Sequence, residues 1–142
     1  MTVTASDATA AWPALPFKDW KDSAETLHMW TQIIGKIRLA RSPWVNHSWQ
    51  VTLYVTPRGL TTGTIPYGYR TFSIDFDFID HQLKLTASDG EVTHLSLRSQ
   101  DTADFYAEVM RSLDELGLPV TIHGAPNEVE APIPFVEDRV HS

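Results

Sequence analysis

Cysteine is absent from this chain, which removes disulfides, thiolate nucleophiles and cysteine-ligated metals from consideration. No stretch of about 18 apolar residues is available to make a membrane span. The opening MTVTASDATAA is small and polar, with neither the basic start nor the apolar centre of a signal peptide. These absences point to a cytoplasmic protein without a membrane partner, and to a flexible tail over residues 1–11. Positive charge is also scarce. Eleven Lys and Arg against 18 Asp and Glu leave a net charge of -7, a balance that repels phosphate backbones and argues against a nucleic-acid partner. The one dense basic group, Lys36, Arg38 and Arg41, suits the negative C-terminal end of a helix. Among sequence fingerprints, the G-x-S-x-G elbow, both glycine-rich phosphate-binding patterns and His-Glu-x-x-His are all missing.

What remains is ample for a core: 142 residues, 42% of them hydrophobic, fit a single domain over residues 12–142. Trp12–Trp20 holds two prolines and reads as an extended arm, with Trp12, Phe17 and Trp20 as apolar anchors to the domain surface. A helix follows, capped by Asp22 or Ser23 and ending near Arg41, before Ser42-Pro43. Leu27, Trp30, Ile34 and Ile37 share one face; Met29, Ile33 and Ala40 form a second. Between them runs a narrower strip of His28, Gln32, Gly35 and Leu39. A helix apolar on nearly every side needs cover from its own sheet and from something further, either a partner chain or additional sequence.

Trp49–Thr56 alternates, with Trp49, Val51, Leu53 and Val55 predicted inward and Gln50, Thr52, Tyr54 and Thr56 outward. Pro57-Arg58-Gly59 is a turn, LTTGTI a short strand, and Pro66-Tyr67-Gly68 a loop. Thr71–Phe78 is a strand with Phe72, Ile74, Phe76 and Phe78 facing in. Gln82–Thr86 and Val92–Leu97 flank the hairpin signal Ser88-Asp89-Gly90. Thr102–Leu116 is an amphipathic helix striped by Phe105, Val109, Leu113 and Leu116 and stopped by Gly117. A last strand is predicted over Val120–His123, and residues 124–142 make an extended acidic segment. The order helix, four or five strands, helix, strand predicts an α+β fold: an antiparallel sheet of about five or six strands with two helices on one face.

The polar face of that sheet is the natural place for chemistry. Tyr54, Asp75 and Asp77 fall on it, the two carboxylates about 7 Å apart along one strand. Such a pair can divide acid and base roles or contribute to a metal site, and can equally keep an open sheet face soluble. His28, His47 and His81 are the candidate acid-base or metal-binding histidines, although none stands at a ligand spacing from another, so the metal and any cofactor stay unassigned. Arg58 and Arg70 offer anion contacts in the glycine-containing turns, where Tyr67 and Tyr69 can line an apolar mouth. The expected site is a small-molecule pocket between the polar face and the Arg58–Tyr69 loop. Tyr54 would donate a hydrogen bond there, and the histidines and Asp75 or Asp77 would serve acid-base or metal chemistry. The alternative is a non-catalytic self-association or assembly module, a homodimer that uses the first helix.

LHMWTQIIGKIRLA, VNHSWQVTLYVTPRGLTTGTIPYG, FSIDFDFIDHQL and IPFVEDRVH, in this order, cover most of Trp12–His141. They resemble the N-terminal half of a bacterial family of uncharacterised proteins, a domain of unknown function. The resemblance implies that relatives continue past the counterpart of EDRVH. A homo-oligomer or a missing second half-domain would then supply the cover that the first helix calls for. It implies no activity and carries no catalytic residue.

Overall fold

The computed structural model describes residues 12–142, so the tail expected over residues 1–11 lies outside the described residues. Helix α1, Lys21–Arg41, needs cover on two sides and finds both within the chain. Met29 and Ile33 from one stripe are buried, and so are Trp30, Ile34 and Ile37 from the other. They pack in one core with the sheet, with helix α2 (Thr102–Glu115) and with Phe135 of the C-terminal segment. Trp30 stacks nearly parallel on Phe105 of α2, with ring centroids 4.3 Å apart. Each fully buried isoleucine contributes about 2 kcal/mol by leaving water. The expectation that α1 needs a partner or further sequence for its second stripe is therefore corrected. The helix also starts at Lys21, on Trp20 and without a side-chain cap, rather than at Asp22 or Ser23. At its other end Arg38 and Arg41 occupy the last turn as the dipole favours; Arg41 lies 4.1 Å over the Tyr67 ring.

The sheet has six antiparallel strands: β1 Tyr54–Thr56, β2 Gly59–Thr61, β3 Ile65–Tyr67, β4 Arg70–Asp77, β5 Gln82–Ala87 and β6 Val92–Ser96. They run in the order β1-β2-β4-β5-β6, with β3 also paired to β4. Strands β2 and β3 lie along the same side of β4, β2 against Asp75–Asp77 and β3 against Arg70–Phe72. Between them Thr62–Thr64 stand opposite only Ser73 and Ile74, a one-residue bulge. The buried Thr62 side chain stitches it, accepting from the Ile74 N–H at 3.0 Å and donating to the Gly63 carbonyl at 2.7 Å. Phe72, Ile74, Phe76, Leu83, Leu85 and Ala87 put the apolar face of the sheet against the helices. Phe105, Val109 and Leu113 of α2 are fully buried, as the stripe predicts, and Leu116 nearly so.

Several local expectations fail for identifiable reasons. Trp49–Val51 belongs to a 3-10 segment, Asn46–Val51, and strand begins only at Tyr54. His47 and Ser48 both adopt left-handed backbone (φ 55° and 59°), and this reversal inverts the alternation. Gln50 turns inward, its Oε1 accepting from the Val45 N–H at 2.9 Å, while Trp49 is 62% exposed. Val55 does share the core-side row with Leu60 and Phe76, yet it overhangs the core on the edge strand and is exposed. Phe78 leaves the sheet because strand β4 stops at Asp77, whose carboxylate caps the following turn. Ile65–Tyr67, expected partly as loop, is strand. Val120–His123 is not strand: no sheet neighbour pairs with it, and Val120 and Ile122 simply pack on the core. The anchors of the N-terminal arm do not anchor; Trp12, Phe17 and Trp20 are exposed, with Phe17 edge-on to Trp20. Of the five tryptophans only Trp30 is a core residue.

Candidate functional site

The polar sheet face does gather some of the expected residues. Cross-strand partners in an antiparallel sheet share a face. The register therefore sets Tyr54, Thr61, Asp75, Lys84 and His94 in one row across five strands, with Thr56, Gly59, Asp77, Gln82 and Ser96 in the next. Lys84 and His94 were not among the expected site residues, though both follow from the alternation on either side of Ser88-Asp89-Gly90. The row is open to solvent at Tyr54, Lys84 and His94, and the His94 ring nitrogen Nδ1 already meets Gln82 Oε1 at 2.9 Å.

Asp77 and Arg58 are spent on each other. Arg58 Nε donates to Asp77 at 2.7 Å, and its Nη2 reaches Asp80 at 2.8 Å. The Asp77 carboxylate also accepts the backbone N–H groups of Ile79 and Asp80. The Arg58 guanidinium first, then the Asp80 and Ile79 amides, hold the Asp77 carboxyl down at about 2. A folded pKa below the unfolded value means that this support is complete above about pH 4. It is lost as pH falls toward 2. Asp77→Asn should accordingly flatten the acid limb of the unfolding curve between pH 4 and 2, measured by urea titration at stepped pH. An unchanged limb would count against this ion pair as its source.

Between that face and the Arg58–Tyr69 loop a hollow of about 430 Å³ forms at the Arg58 end, lined by Thr56, Pro57, Arg58, Asp75, Phe76, Asp77 and Lys84, and Tyr67, Tyr69 and Arg70 are not among its walls. Because β2 and β3 run in sequence along one side of β4, Arg58 sits near Asp77 at one end and Tyr69 beside Arg70 at the other. Tyr69 is 98% exposed at the β3–β4 turn. Tyr67 donates its hydroxyl to the Pro119 carbonyl at 2.8 Å. Arg70 closes the C-terminus of α2, donating to the carbonyls of Leu116 and Gly117 and pairing with Asp89. Tyr67 and Arg70 thus tie β3 and β4 to α2.

The three histidines stay apart. His28 lies on the outer strip of α1, and His47 is exposed with its ring 6.3 Å from that of Trp49. His81, left-handed at φ 53°, borders a cleft at the N-terminal half of α1. Among the described residues no group of three or more His, Asp or Glu side chains stands close enough to hold a metal ion.

That cleft combines apolar walls with several polar groups. Its larger part, about 470 Å³, has apolar walls from Leu27, Trp30, Phe78 and Leu97 and polar groups from Ser23, Thr26, His81, Arg98 and Ser99. Thr26 and Ser142 are shared with an adjoining hollow of about 310 Å³, where Asp22 and Glu25 of α1 face His141. His141 is held by a residue that sequence reasoning passed over. The side chain of Asp138 is 1% exposed. Its Oδ1 accepts the N–H groups of Val140 and His141, both at 3.1 Å, and its Oδ2 lies 2.7 Å from His141 Nδ1. An ionised carboxylate only accepts, which assigns a ring proton to Nδ1, and Nε2 makes no hydrogen bond among the described residues.

The surrounding backbone explains why this pair is fixed. Asp101 caps α2 by accepting the Asp104 N–H at 2.8 Å. Arg139 Nη1 spans Asp101 and Asp104 at 2.9 and 2.6 Å, and Arg139 is the main cause holding the Asp101 carboxyl below its ordinary range. The first turn of α2 is tied down too: Ala103 donates to the Asp138 carbonyl and Thr102 to that of His141, each at 2.9 Å. Phe135, fully buried and 5.9 Å from the Tyr106 ring, anchors the segment in the core. The available sequence signal was Asp-x-x-His three residues after a lone phenylalanine in a polar tail.

Among the described residues no helix is long and apolar enough to cross a membrane. No curated protein and no solved structure matches this chain. A family model does, over residues 12–142: the chain belongs to DUF5996, a family of unknown function.

Proposed function

We propose that this domain binds a small organic molecule in the cleft at the N-terminal half of α1, with His141 as the group that takes or gives a proton. The observation that carries the reading is the buried Asp138 carboxylate on His141 Nδ1, which leaves Nε2 free beside a cleft. A carboxylate behind a histidine fixes the ring's orientation and tautomer and stabilises the imidazolium that forms when Nε2 accepts a proton. Leu27, Trp30, Phe78 and Leu97 suit an apolar ligand body, and Thr26, His81 and Arg98 suit its polar groups. Asp75, Asp77 and Tyr54 have no part in this site.

A fragment library followed by amide and indole NMR shifts tests the reading. Hits should cluster on Thr26, Leu27, Trp30 and Leu97, and His141→Gln should weaken those that carry a hydrogen-bonding head by about tenfold. Hits gathered elsewhere, or affinities indifferent to His141→Gln, would sink it.

A further inference from the structure

The third strip of α1, left over after two stripes enter the core, lines a groove on the opposite side from the Trp30 cleft. It is about 440 Å³ in volume, and its wall residues include Gly35, Lys36 and Leu39 of the helix with Val51, Leu53 and Asn127. Gly35 is the informative residue. Glycine inside a helix is unfavourable relative to alanine, so its presence calls for a reason. Neither the usual packing reason nor the usual backbone reason applies. A Cβ at position 35 would meet only the Val51 carbonyl oxygen, at an ordinary 3.9 Å, and Gly35 is not among the positive-φ glycines. The missing side chain leaves open the groove that Gly35 helps to line.

The polar end of the groove is as specific. Gln32 reads the Asn127 backbone with both amide atoms, Nε2 donating to its carbonyl at 2.9 Å and Oε1 accepting its N–H at 2.8 Å. That pairing fixes the amide orientation. Gln32 Nε2 is therefore a donor where it meets His28 Nε2 at 3.3 Å, which makes that ring nitrogen an acceptor and leaves the His28 proton on Nδ1. Lys36 donates one of its three N–H groups to Asn127 Oδ1 at 2.9 Å. Among the described residues no carboxylate lies within 4.0 Å of Lys36, and partial burial pushes its ammonium below the ordinary lysine range. A half-buried cation without a counter-ion, at the end of a trough walled by Leu39, Val51 and Leu53, is complementary to an amphipathic anion. Glu128, exposed on the same rim, opposes anions in proportion to their charge and so weighs most against ligands with more than one negative charge.

From this placement we infer that the α1 groove is a second ligand site, for a small amphipathic monocarboxylate, with Lys36 gripping the carboxylate and Gly35 leaving room for its hydrocarbon chain. The site is separate from the His141 cleft and stands whether or not that cleft binds anything.

Hexanoate and the uncharged 1-hexanol are the probes, titrated into the full chain and followed by the amide shifts of Gly35, Leu39 and Asn127. Hexanoate should saturate at millimolar concentration and bind at least tenfold better than hexanol. Lys36→Met, which keeps an apolar stem, should abolish that preference while leaving hexanol unchanged. Gly35→Ala should raise the melting temperature by a few degrees through helix propensity and still weaken hexanoate severalfold. Binding that ignores both substitutions, or no saturable shift at 20 mM hexanoate in the folded protein, would overturn the inference. His141→Gln should leave hexanoate binding intact.

Discussion

Gly59→Ala is expected to be among the most damaging single-methyl additions in this domain. The Cβ would stand 2.0 Å from the Phe76 carbonyl oxygen, 3.0 Å from its carbon and 3.1 Å from Phe78 Cδ2. The first two are backbone atoms of the central strand β4, so no flexible side chain can move aside. Strand β2 would have to lift from β4 by more than an ångström at the pairs Gly59↔Asp77 and Leu60↔Phe76. The β1–β2 hairpin would lift with it, drawing Arg58 off Asp77 and Asp80. Overpacking against immobile backbone costs about 3 kcal/mol or more, roughly 10 °C in melting temperature for a domain of this size. Gly68→Ala is the natural control. Gly68 has φ +60° and nothing within 4 Å of a built Cβ, so only the strain of a left-handed alanine applies, about 1–2 kcal/mol. Thermal melts of the two variants side by side decide the matter. Equal losses would mean that β2 approaches β4 less closely than described.

The contrast between these glycines also marks what the sequence can reveal. Pro57-Arg58-Gly59 reads as a turn and Pro66-Tyr67-Gly68 as a loop, and nothing local distinguishes a glycine needed for its φ from one needed for room. Where a residue's fate depends on near neighbours, the reading succeeds. The Phe72–Phe76 alternation, the Ser88-Asp89-Gly90 hairpin and the α2 stripe all lie where expected, because period and turn chemistry settle them. It fails where a distant contact decides. Trp49 and Gln50 exchange faces because two left-handed residues upstream and the Val45 N–H reorient the chain, and apolar alternation is blind to both. The sequence looks to a partner chain or to additional sequence for cover of α1 because α2 and Phe135, both more than 60 residues downstream, come from stretches that give no sign of where they pack.

For the site the division is the same. Asp77 and Arg58 were singled out as isolated chemical groups, and each is consumed by the other across a turn that only the β2–β4 register brings together. Asp138 and His141 were passed over because an acidic tail ordinarily remains in water. What turns this one inward is Phe135, together with two main-chain bonds to the first turn of α2.

Asp138 is where structure and chemistry can be separated by substitution. Asp138→Ala leaves the N–H groups of Val140 and His141 and the His141 ring without their acceptor, at a site that stays closed. Each lost bond to an ionised acceptor is worth about 1–3 kcal/mol, and relaxation recovers part of the sum, so a net loss of about 3 kcal/mol is expected in urea unfolding. Asp138→Asn is nearly isosteric, and its Oδ1 can still serve both backbone amides, so it should lose only about 1 kcal/mol. Its Nδ2, however, donates toward His141 Nδ1, which must then accept, and the ring proton moves to Nε2. The nitrogen chemical shifts of His141 should therefore report Nδ1–H in the native protein and Nε2–H in Asp138→Asn. That variant keeps the fold while exchanging a proton acceptor for a donor at the edge of the cleft. If its tautomer is unchanged, the carboxylate does not set the polarity of the ring. If Asp138→Ala is as stable as the native chain, the carboxylate is not what holds residues 138–141 against α2.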